Sequence, residues 1–175
     1  MSLTHQRYPS PLGELLAVFS ARGLCLLEFV GQPRLERELA QVEAARGGPG
    51  ERPSERQRAW AEQLGAELAD YFAGRRQTFA VPLDLIGTPF QQRVWQALLT
   101  IAYGQTWSYA RQAQHLGQPS ATRAVAAANG QNKISIVVPC HRVIGSNGRL
   151  TGYGGGLPRK QWLLALEAGA PPLIG

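Results

Sequence analysis

The segment Pro139-Cys140-His141-Arg142 brings a thiol, a titratable base and a cation together within four residues. A thiol becomes a nucleophile when a nearby base takes its proton and positive charge or hydrogen-bond donors stabilise the thiolate. His141 is the candidate base. Because adjacent residues of a strand point to opposite faces, it can act on Cys140 only if the chain turns there or if water bridges the two side chains. The four residues alone are equally compatible with a buried cysteine beside a solvated histidine.

Glu167 is the only acid among residues 87–175. A carboxylate beside a Cys-His pair can orient the imidazole and stabilise its cation as the third member of a relay, whereas the alternative is an ordinary surface glutamate. Cys25, the second cysteine, lies in an apolar run and is predicted to be a buried core thiol. The three scattered histidines do not supply the clustered ligands of a zinc site, so we expect no metal.

The charge is divided unevenly along the chain. Residues 1–86 hold ten arginines and eleven acids, a net charge of −1, whereas residues 87–175 hold eight bases and one acid, a net charge of +7. Such a basic half is typical of proteins that bind polyanions, although a solvated basic surface is the plain alternative. Because composition also changes near Ile86, the sequence predicts an N-terminal domain over residues 1–86, linker included, and a C-terminal domain over residues 87–175.

The first half reads as an α/β domain with a small antiparallel sheet. Residues 15–19 and 24–29 are short apolar runs joined by a turn, which predicts a β-hairpin. A helical pattern opens at Pro33, and Ser54 with Gln57 predicts a capping box at the start of a second helix that Gly74 ends. Residues 79–83 contain Pro82 and fit an edge strand or an extended linker.

The second half reads as mainly helical, with an active-site loop. Thr88, Ser108 and Ser120 are predicted helix caps, and the buried stripe of the first of these helices is expected to comprise Val94, Trp95, Leu98 and Leu99. Residues 134–138 form an apolar run that predicts a strand leading to Cys140. The last helix runs from Pro158 to a stop at Gly169, with Trp162, Leu163 and Leu166 as its apolar stripe.

The two short helices capped by Ser108 and Ser120 are joined by a turn containing Gly117, the pattern of a helix-turn-helix. The second helix consists mostly of alanine and other small residues, and Arg123 is its only long side chain. It therefore lacks the several polar side chains that read base edges in a major groove, which disfavours a sequence-specific transcription regulator. A smooth helix with one cation suits sequence-tolerant approach to a groove with Arg123 entering the base stack, unless the alanines merely pack and Arg123 is a surface cation.

The second half also resembles a known family, the O6-alkylguanine-DNA alkyltransferases. The resemblance is carried by these segments: Asn132, Pro139-Cys140-His141-Arg142-Val143, Gly152-Tyr153, Gly155-Gly156-Leu157 and Trp162-Leu163-Leu164-Ala165-Leu166-Glu167, with Thr88-Pro89-Phe90, Gly104, Ser108-Tyr109 and Arg123-Ala124-Val125 upstream. The first half is compatible with the variable N-terminal domain of that family, through Ser10-Pro11-Leu12-Gly13 and Gly23-Leu24.

The resemblance implies that Cys140 irreversibly accepts an alkyl group from the O6 oxygen of a flipped guanine in duplex DNA, once per molecule and without a cofactor. It implies that His141 deprotonates Cys140 through a water molecule and that Glu167 holds His141. By the same resemblance, Asn132 would hydrogen-bond within the site and help fix the loop, and Tyr109 would lie by the extruded nucleotide and assist departure of the guanine.

For DNA binding, the resemblance implies that Arg123 fills the gap left in the duplex and that Ser146 touches the phosphate backbone. The sequence departs from the family pattern at Gly154, Lys133 and Ala126, where Ser, Pro and Gly are frequent, and it lacks the zinc ligands of some N-terminal domains. Lys133 in place of Pro is expected to loosen the loop after Asn132 and to add a cation.

The expected partner is double-stranded DNA containing O6-alkylguanine, with no obligate protein partner and a monomeric state. No stretch approaches about 18 uninterrupted apolar residues and the N-terminus carries no basic segment followed by an apolar run, so we expect a soluble cytoplasmic protein. Two alternatives stay open. One is a binding module for alkylated DNA without chemistry, and the other is a thiol hydrolase that turns over an ester or amide without DNA.

Overall fold

The fold was obtained as a computed structural model, which describes residues 2–145, 147–148 and 152–169. The chain divides into two compact units, Met1–Ile86 and Gly87–Gly175. No helix among the described residues is both long enough and apolar enough to cross a membrane. The predicted fold class, an α/β N-terminal part followed by a mainly helical C-terminal part, is confirmed.

The first unit is a three-stranded antiparallel sheet with two helices. The elements are β1 Thr4–Tyr8, β2 Leu15–Phe19, β3 Leu24–Phe29, α1 Leu35–Arg46 and α2 Glu55–Phe72, and the sheet order is β1-β2-β3. Every residue of β2 and β3 is buried, which agrees with the predicted hairpin of two apolar runs. Strand β1 was not expected from the sequence, because its polar residues show neither an apolar run nor alternation.

A capping box sets the start of α2. Ser54 Oγ accepts a hydrogen bond from Gln57 N at 3.0 Å, while Gln57 Oε1 accepts one from Ser54 N at 3.0 Å, so the predicted capping box is confirmed. The helix predicted from Pro33 begins two residues later, at Leu35.

Residues 79–83 form a linker rather than a sheet strand, and they are bound to the start of β3. Leu24 N donates to Pro82 O and Asp84 N donates to Leu24 O, both at 2.8 Å. Gly23 has a φ of 152°, and a β-carbon there would lie 2.4 Å from Pro82 O, so this close approach requires glycine. Asp84 is buried and accepts two hydrogen bonds of 2.8 Å from Arg46, which closes the linker onto α1.

The described part of the second unit contains four helices and a two-stranded parallel pairing. The elements are α3 Pro89–Leu98, β4 Trp107–Ser108, α4 Tyr109–His115, α5 Thr122–Gly130, a 3₁₀ turn Cys140–Arg142, β5 Val143–Ile144 and α6 Leu157–Glu167. The Thr88 and Ser108 caps are confirmed by hydrogen bonds from Gln91 N at 3.1 Å and Arg111 N at 3.0 Å. Ser120 is not a cap, because α5 begins after Ala121 and has no side-chain cap.

Helices α3, α4 and α5 are joined by buried polar contacts as well as apolar packing. Trp95 Nε1 donates to Ala128 O at 2.8 Å, which holds α5 against α3. Gln112 and Asn129 exchange two amide hydrogen bonds, at 3.0 and 2.7 Å, in a buried pair between α4 and α5. This helix pair therefore has a fixed relative position, since a buried amide pair is satisfied in few geometries.

Two apolar predictions in this unit are wrong. Leu99, the C-cap of α3, is 44% exposed, whereas Val94, Trp95 and Leu98 of the predicted stripe are buried. Residues 134–138 form a series of turns rather than a strand, although Ile134, Ile136, Val137 and Val138 are all buried. A short apolar run indicates burial but does not specify a strand, and here turn hydrogen bonds and the Asn132 side chain direct the backbone.

We expect the Gln112–Asn129 pair to show strong coupling in a double-mutant cycle. Asn129→Leu alone should lower the free energy of unfolding by about 1–3 kcal/mol, because it leaves the buried Gln112 amide unsatisfied. Gln112→Met combined with Asn129→Leu should cost less than the sum of the two single changes, as measured by urea unfolding. Gln114→Leu, at an exposed position of α4, is the control and should be nearly neutral. Additive costs would contradict this assignment.

Candidate active site

Asn132 organises the turn that leads to Cys140. Its Nδ2 donates to Val138 O at 2.9 Å and lies 3.4 Å from Ile134 O, while its Oδ1 accepts from Ile134 N at 3.0 Å. The turn includes Ile136 at a φ of 72°, a left-handed conformation that is costly for a β-branched residue. The buried Asn132 amide therefore reinforces the backbone hydrogen bonds of the turn, in which Val138 N donates to Ile134 O and Cys140 N donates to Val138 O.

The same amide reaches the thiol. Asn132 Nδ2 is 3.2 Å from Cys140 Sγ, so one side chain both shapes the turn and donates to the sulfur. Cys140 begins the 3₁₀ turn and is half-buried, whereas His141 is fully buried. The chain thus turns at Cys140, which is the condition under which neighbouring Cys140 and His141 can cooperate.

Glu167 holds both side chains that follow Cys140. His141 Nε2 lies 2.7 Å from Glu167 Oε2, and Arg142 binds the same carboxylate through Nε at 2.7 Å and Nη2 at 3.1 Å. Arg142 Nη1 also donates to Ile101 O at 2.7 Å. The three side chains are 0–8% exposed, so these charge-assisted bonds form away from water.

Burial and neighbouring charges set the protonation states of His141 and Glu167. Burial lowers the pKa of His141 and outweighs the opposing effect of the Glu167 hydrogen bond and charge, with Arg142 and Lys160 lowering it further. Burial opposes ionisation of Glu167, but hydrogen bonds and charge from His141 and Arg142 prevail and lower its pKa to about 2. The site therefore contains an ionised carboxylate and a neutral imidazole, which is the form of histidine that accepts a proton.

With Nε2 directed at Glu167, the other ring nitrogen is the basic one. Nδ1 of His141 is buried and has no hydrogen-bond partner among the described residues. If Nε2 carries the proton and donates it to Glu167, Nδ1 presents a lone pair. A neutral imidazole with an available lone pair, on the residue that follows a cysteine, is suited to general-base chemistry.

Two residues of this cluster were not predicted from the sequence. In the sequence Arg142 is a cation beside His141, and Lys160 is one of the eight bases of residues 87–175. Lys160 is fully buried, and its Nζ donates to Val143 O at 2.7 Å. The spacing of the residues could have indicated the burial of Lys160. Lys160, Leu163 and Glu167 are spaced to lie on one face of a helix, and the structure buries all three.

The residues predicted to meet DNA lie on other elements. Tyr109 is the first residue of α4 and is half-buried; it follows β4, whose Ser108 is paired with Ile144 directly after the active-site turn. Arg123 is the second residue of α5 and is exposed, as are Ala124 and Ala127, so this face of the helix is smooth apart from one cation. Ser146 lies outside the described residues.

Lys133, which was expected to loosen its loop, is instead buried. It is 5% exposed and its Nζ lies 5.1 Å from the centroid of the Trp95 ring, a cation–π contact. The expectation that it loosens the loop is wrong, because this contact ties the residue after Asn132 to α3.

The two cysteines differ as predicted in their surroundings. Cys25 is fully buried in β3, its Sγ lies 3.3 Å from Val18 O, and burial raises its pKa to about 12. A thiol of this kind is inert near neutral pH, so Cys140 is the candidate nucleophile. Within residues 2–145, 147–148 and 152–169, no three His, Cys, Asp or Glu side chains lie together as a metal site would require.

Comparison with known proteins covers both units. Residues 89–169 match the family described as 6-O-methylguanine DNA methyltransferase, DNA binding domain, and residues 3–85 match the 6-O-methylguanine DNA methyltransferase, ribonuclease-like domain. A methylated-DNA--protein-cysteine methyltransferase of Mycolicibacterium paratuberculosis is 57% identical over 149 residues, which cover 81% of this chain and 86% of the relative. The protein of that name from Salmonella typhimurium is 58% identical over 105 residues, covering 59% and 61%.

Solved structures agree over nearly the whole chain. The crystal structure of Mycobacterium tuberculosis O6-methylguanine methyltransferase has a TM-score of 0.78 and 43% identity, covering 97% of this chain and 95% of that one. The crystal structure of Mycobacterium tuberculosis OGT in complex with DNA has a TM-score of 0.80 and 42% identity, covering 97% and 96%.

We expect Glu167 to make the stability of the protein pH-dependent. Its folded pKa of about 2 lies below the unfolded value of about 4.3, so the carboxylate stabilises the fold above that unfolded value and ceases to do so as the pH falls toward 2. Glu167→Gln should therefore be less stable than wild type by about 3 kcal/mol at pH 7, with the difference shrinking as the pH falls toward 3. Urea unfolding across this range tests it, with exposed Glu62→Gln as the control. A difference that does not change with pH would contradict the assignment.

Proposed function

The chain belongs to the 6-O-methylguanine DNA methyltransferase family, and on this premise we propose that it repairs alkylated DNA by direct reversal. The substrate is duplex DNA containing O6-alkylguanine, and the acceptor of the alkyl group is Cys140. The observation that carries the proposal is the arrangement around this thiol. The Asn132 amide lies 3.2 Å from the sulfur, and the next residue, His141, is bound to a buried carboxylate.

The reaction is a displacement at carbon. His141 takes the proton of Cys140 through a water molecule, and the thiolate attacks the alkyl carbon on guanine O6. A carbon–sulfur bond forms as the carbon–oxygen bond breaks, and the electron pair of the broken bond stays on the guanine, which takes up a proton. Glu167 supports this sequence because it orients His141 and stabilises the imidazolium that forms.

Asn132 and Tyr109 act on either side of the thiol. The Asn132 amide donates to the sulfur and holds the turn, so the sulfur is positioned before substrate arrives. Tyr109 lies beside the extruded nucleotide, where its hydroxyl donates to the departing guanine and stabilises its developing negative charge. The position of Tyr109 directly after β4 supports this role, because β4 pairs with the strand that follows Cys140.

The product limits each molecule to one transfer. The alkylated sulfur is a thioether, which neither water nor a neighbouring base cleaves, so Cys140 is consumed. The reaction as proposed uses no cofactor and no metal. It needs one thiol and one duplex, and we place it on a monomer in the cytoplasm.

The approach to DNA relies on shape and charge rather than on base reading. Residues 87–175 carry a net charge of +7, which favours binding to the phosphate backbone of any sequence. The small side chains of α5 let the helix come close to a groove, and Arg123 fills the gap left by the flipped nucleotide. Ser146 is proposed to contact the phosphate backbone.

Intact-mass spectrometry after incubation with an O6-methylguanine duplex tests the transfer. We expect a stoichiometric gain of one methylene mass that peptide mapping assigns to Cys140. Cys140→Ala should bind the duplex and gain no mass. Cys25→Ala is the matched control and should gain the same mass as wild type, because Cys25 is buried and inert.

The other outcomes separate the alternatives. An unchanged wild-type mass despite DNA binding would indicate a binding module without chemistry. Turnover of an ester or amide in the absence of DNA would indicate a thiol hydrolase.

Arg123→Ala should slow repair of duplex by at least about tenfold, because an inserted side chain offsets part of the few kcal/mol that base flipping costs. Single-turnover rates on duplex and on single-stranded oligonucleotide measure this, and the single-stranded rate should change much less. Arg93→Ala removes the same charge from an exposed position of α3 and is the matched control. Equal duplex rates for Arg123→Ala and Arg93→Ala would show that Arg123 does not enter the stack.

A further inference from the structure

Lys160 is a charged residue that is buried, although solvation favours exposure of charged side chains and burial of apolar ones. It is fully buried in the first turns of α6, whereas Leu157, at the start of the same helix, is 45% exposed. Burying an ammonium group is costly unless other groups stabilise its charge, and a lysine near a helix N-terminus also opposes the helix dipole. The burial of Lys160 therefore requires a compensating interaction.

The hydrogen bonds of Lys160 lead to the reactive turn. Its Nζ donates to Val143 O at 2.7 Å, and the amide of Val143 in turn donates to the carbonyl of Cys140. Lys160 is thus one residue removed from the turn that positions the sulfur. Lys160 lies on α6, which follows the turn in the chain, whereas Asn132 precedes the turn.

The charges around the turn point to Cys140 as the group that Lys160 stabilises. The side chains of residues 87–175 that carry negative charge near neutral pH are Glu167 and, once ionised, Cys140. Glu167 is bound by Arg142 and by His141, which is neutral. Ionisation of Cys140 adds a second negative charge to the turn, and Lys160 is a buried cation that can stabilise it.

The titratable groups around Lys160 come from two elements. The 3₁₀ turn contributes Cys140 and His141, which interact electrostatically with Lys160, and α6 contributes Glu167, which is bound to His141. Burial lowers the pKa of Lys160 to about 8, and the charge of Cys140 acts in the opposite direction. The positive charge of Lys160 also disfavours protonation of His141.

We propose that Lys160 is the buried counter-charge of the Cys140 thiolate, and that alkylation of Cys140 removes this partner and causes Lys160 to release its proton. The inference rests on the proposed role of Cys140 as the nucleophile. The charge and the atoms balance: a thiolate becomes a neutral thioether, an ammonium becomes a neutral amine whose proton passes to solvent, and the proton that the departing guanine takes up is the one that His141 received from Cys140. Lys160 acts through its field on the sulfur and is a positioning residue.

The first test measures ionisation of Cys140 without DNA. The rate of modification of Cys140 by iodoacetamide is recorded against pH for wild type, Lys160→Met and Lys160→Arg, with Cys25→Ala as the common background. Lys160→Met keeps the length of the side chain and removes its charge, so the midpoint of the profile should rise by about one pH unit. Lys160→Arg should restore most of the shift. A lower melting temperature with an unchanged midpoint would reduce Lys160 to a structural residue and overturn the proposal.

The second test needs no substitution of Lys160. The chain contains two lysines, Lys133 and Lys160, so ¹³C-labelling of lysine gives two side-chain signals that a Lys133→Arg variant assigns. Cys140 is methylated with methyl iodide, and the midpoint of the Lys160 signal should fall by about one pH unit while that of Lys133 does not move. Cys140→Ser should have the same effect as methylation, because it also removes the thiolate. An unmoved Lys160 midpoint in both proteins would overturn the proposal.

Neither test involves repair of DNA, so the two proposals fail separately. A shifted midpoint without methyl transfer from a duplex would remove the proposed function and keep the Lys160–Cys140 pairing. Methyl transfer from a duplex with unmoved midpoints would keep the proposed function and remove the Lys160–Cys140 pairing.

Discussion

A single buried carboxylate, that of Glu167, fixes the geometry and the charges of the reactive turn. Its two oxygens bind Nε2 of His141 and the guanidinium of Arg142, so the two residues that follow Cys140 are both anchored to α6. Without that carboxylate, a buried arginine would have no charge partner in this cluster, and the imidazole would lose the hydrogen bond that selects its tautomer. The desolvation of three polar side chains is offset because each bond is short and charge-assisted.

The sulfur itself is positioned by a different set of forces. Asn132 adds side-chain hydrogen bonds to Ile134 and Val138, which hold residues 134–138 in a buried turn, and the cost of Ile136 at positive φ is offset by these bonds. The result is a half-buried thiol beside a fully buried base. Cys25 shows the contrast, since the same functional group inside the sheet of the first unit is held as an inert thiol by burial.

Helix α5, which is proposed to meet DNA, is held by specific buried contacts on its inner face and carries mostly small side chains on its exposed face. Trp95 and the Gln112–Asn129 pair hold α5 in place from inside, and Lys133 adds a cation–π contact to the same tryptophan. The outer face of α5 carries alanines and Arg123. Such a surface suits an activity that must act on a lesion in any sequence context, because it depends on groove shape and backbone charge rather than on base identity.

The sequence by itself determined the features that depend on neighbours along the chain. The capping boxes at Ser54 and Thr88 are examples, since each needs only a hydroxyl and an amide three residues apart. That Glu167 lies beside His141 was also predictable, because a half-chain with one acid makes that acid conspicuous and because these residues resemble those of a known family.

The tertiary structure alone decided which polar side chains are buried. Lys160 and Arg142 look like surface cations in the sequence, since nothing local says what lies opposite them. The turn over residues 134–138 looks like a strand, because an apolar run reports burial but not the partner that would make it a strand. The reason in each case is physical: the protonation state of a buried group and the path of a buried backbone depend on atoms that are distant in the chain and meet only after folding.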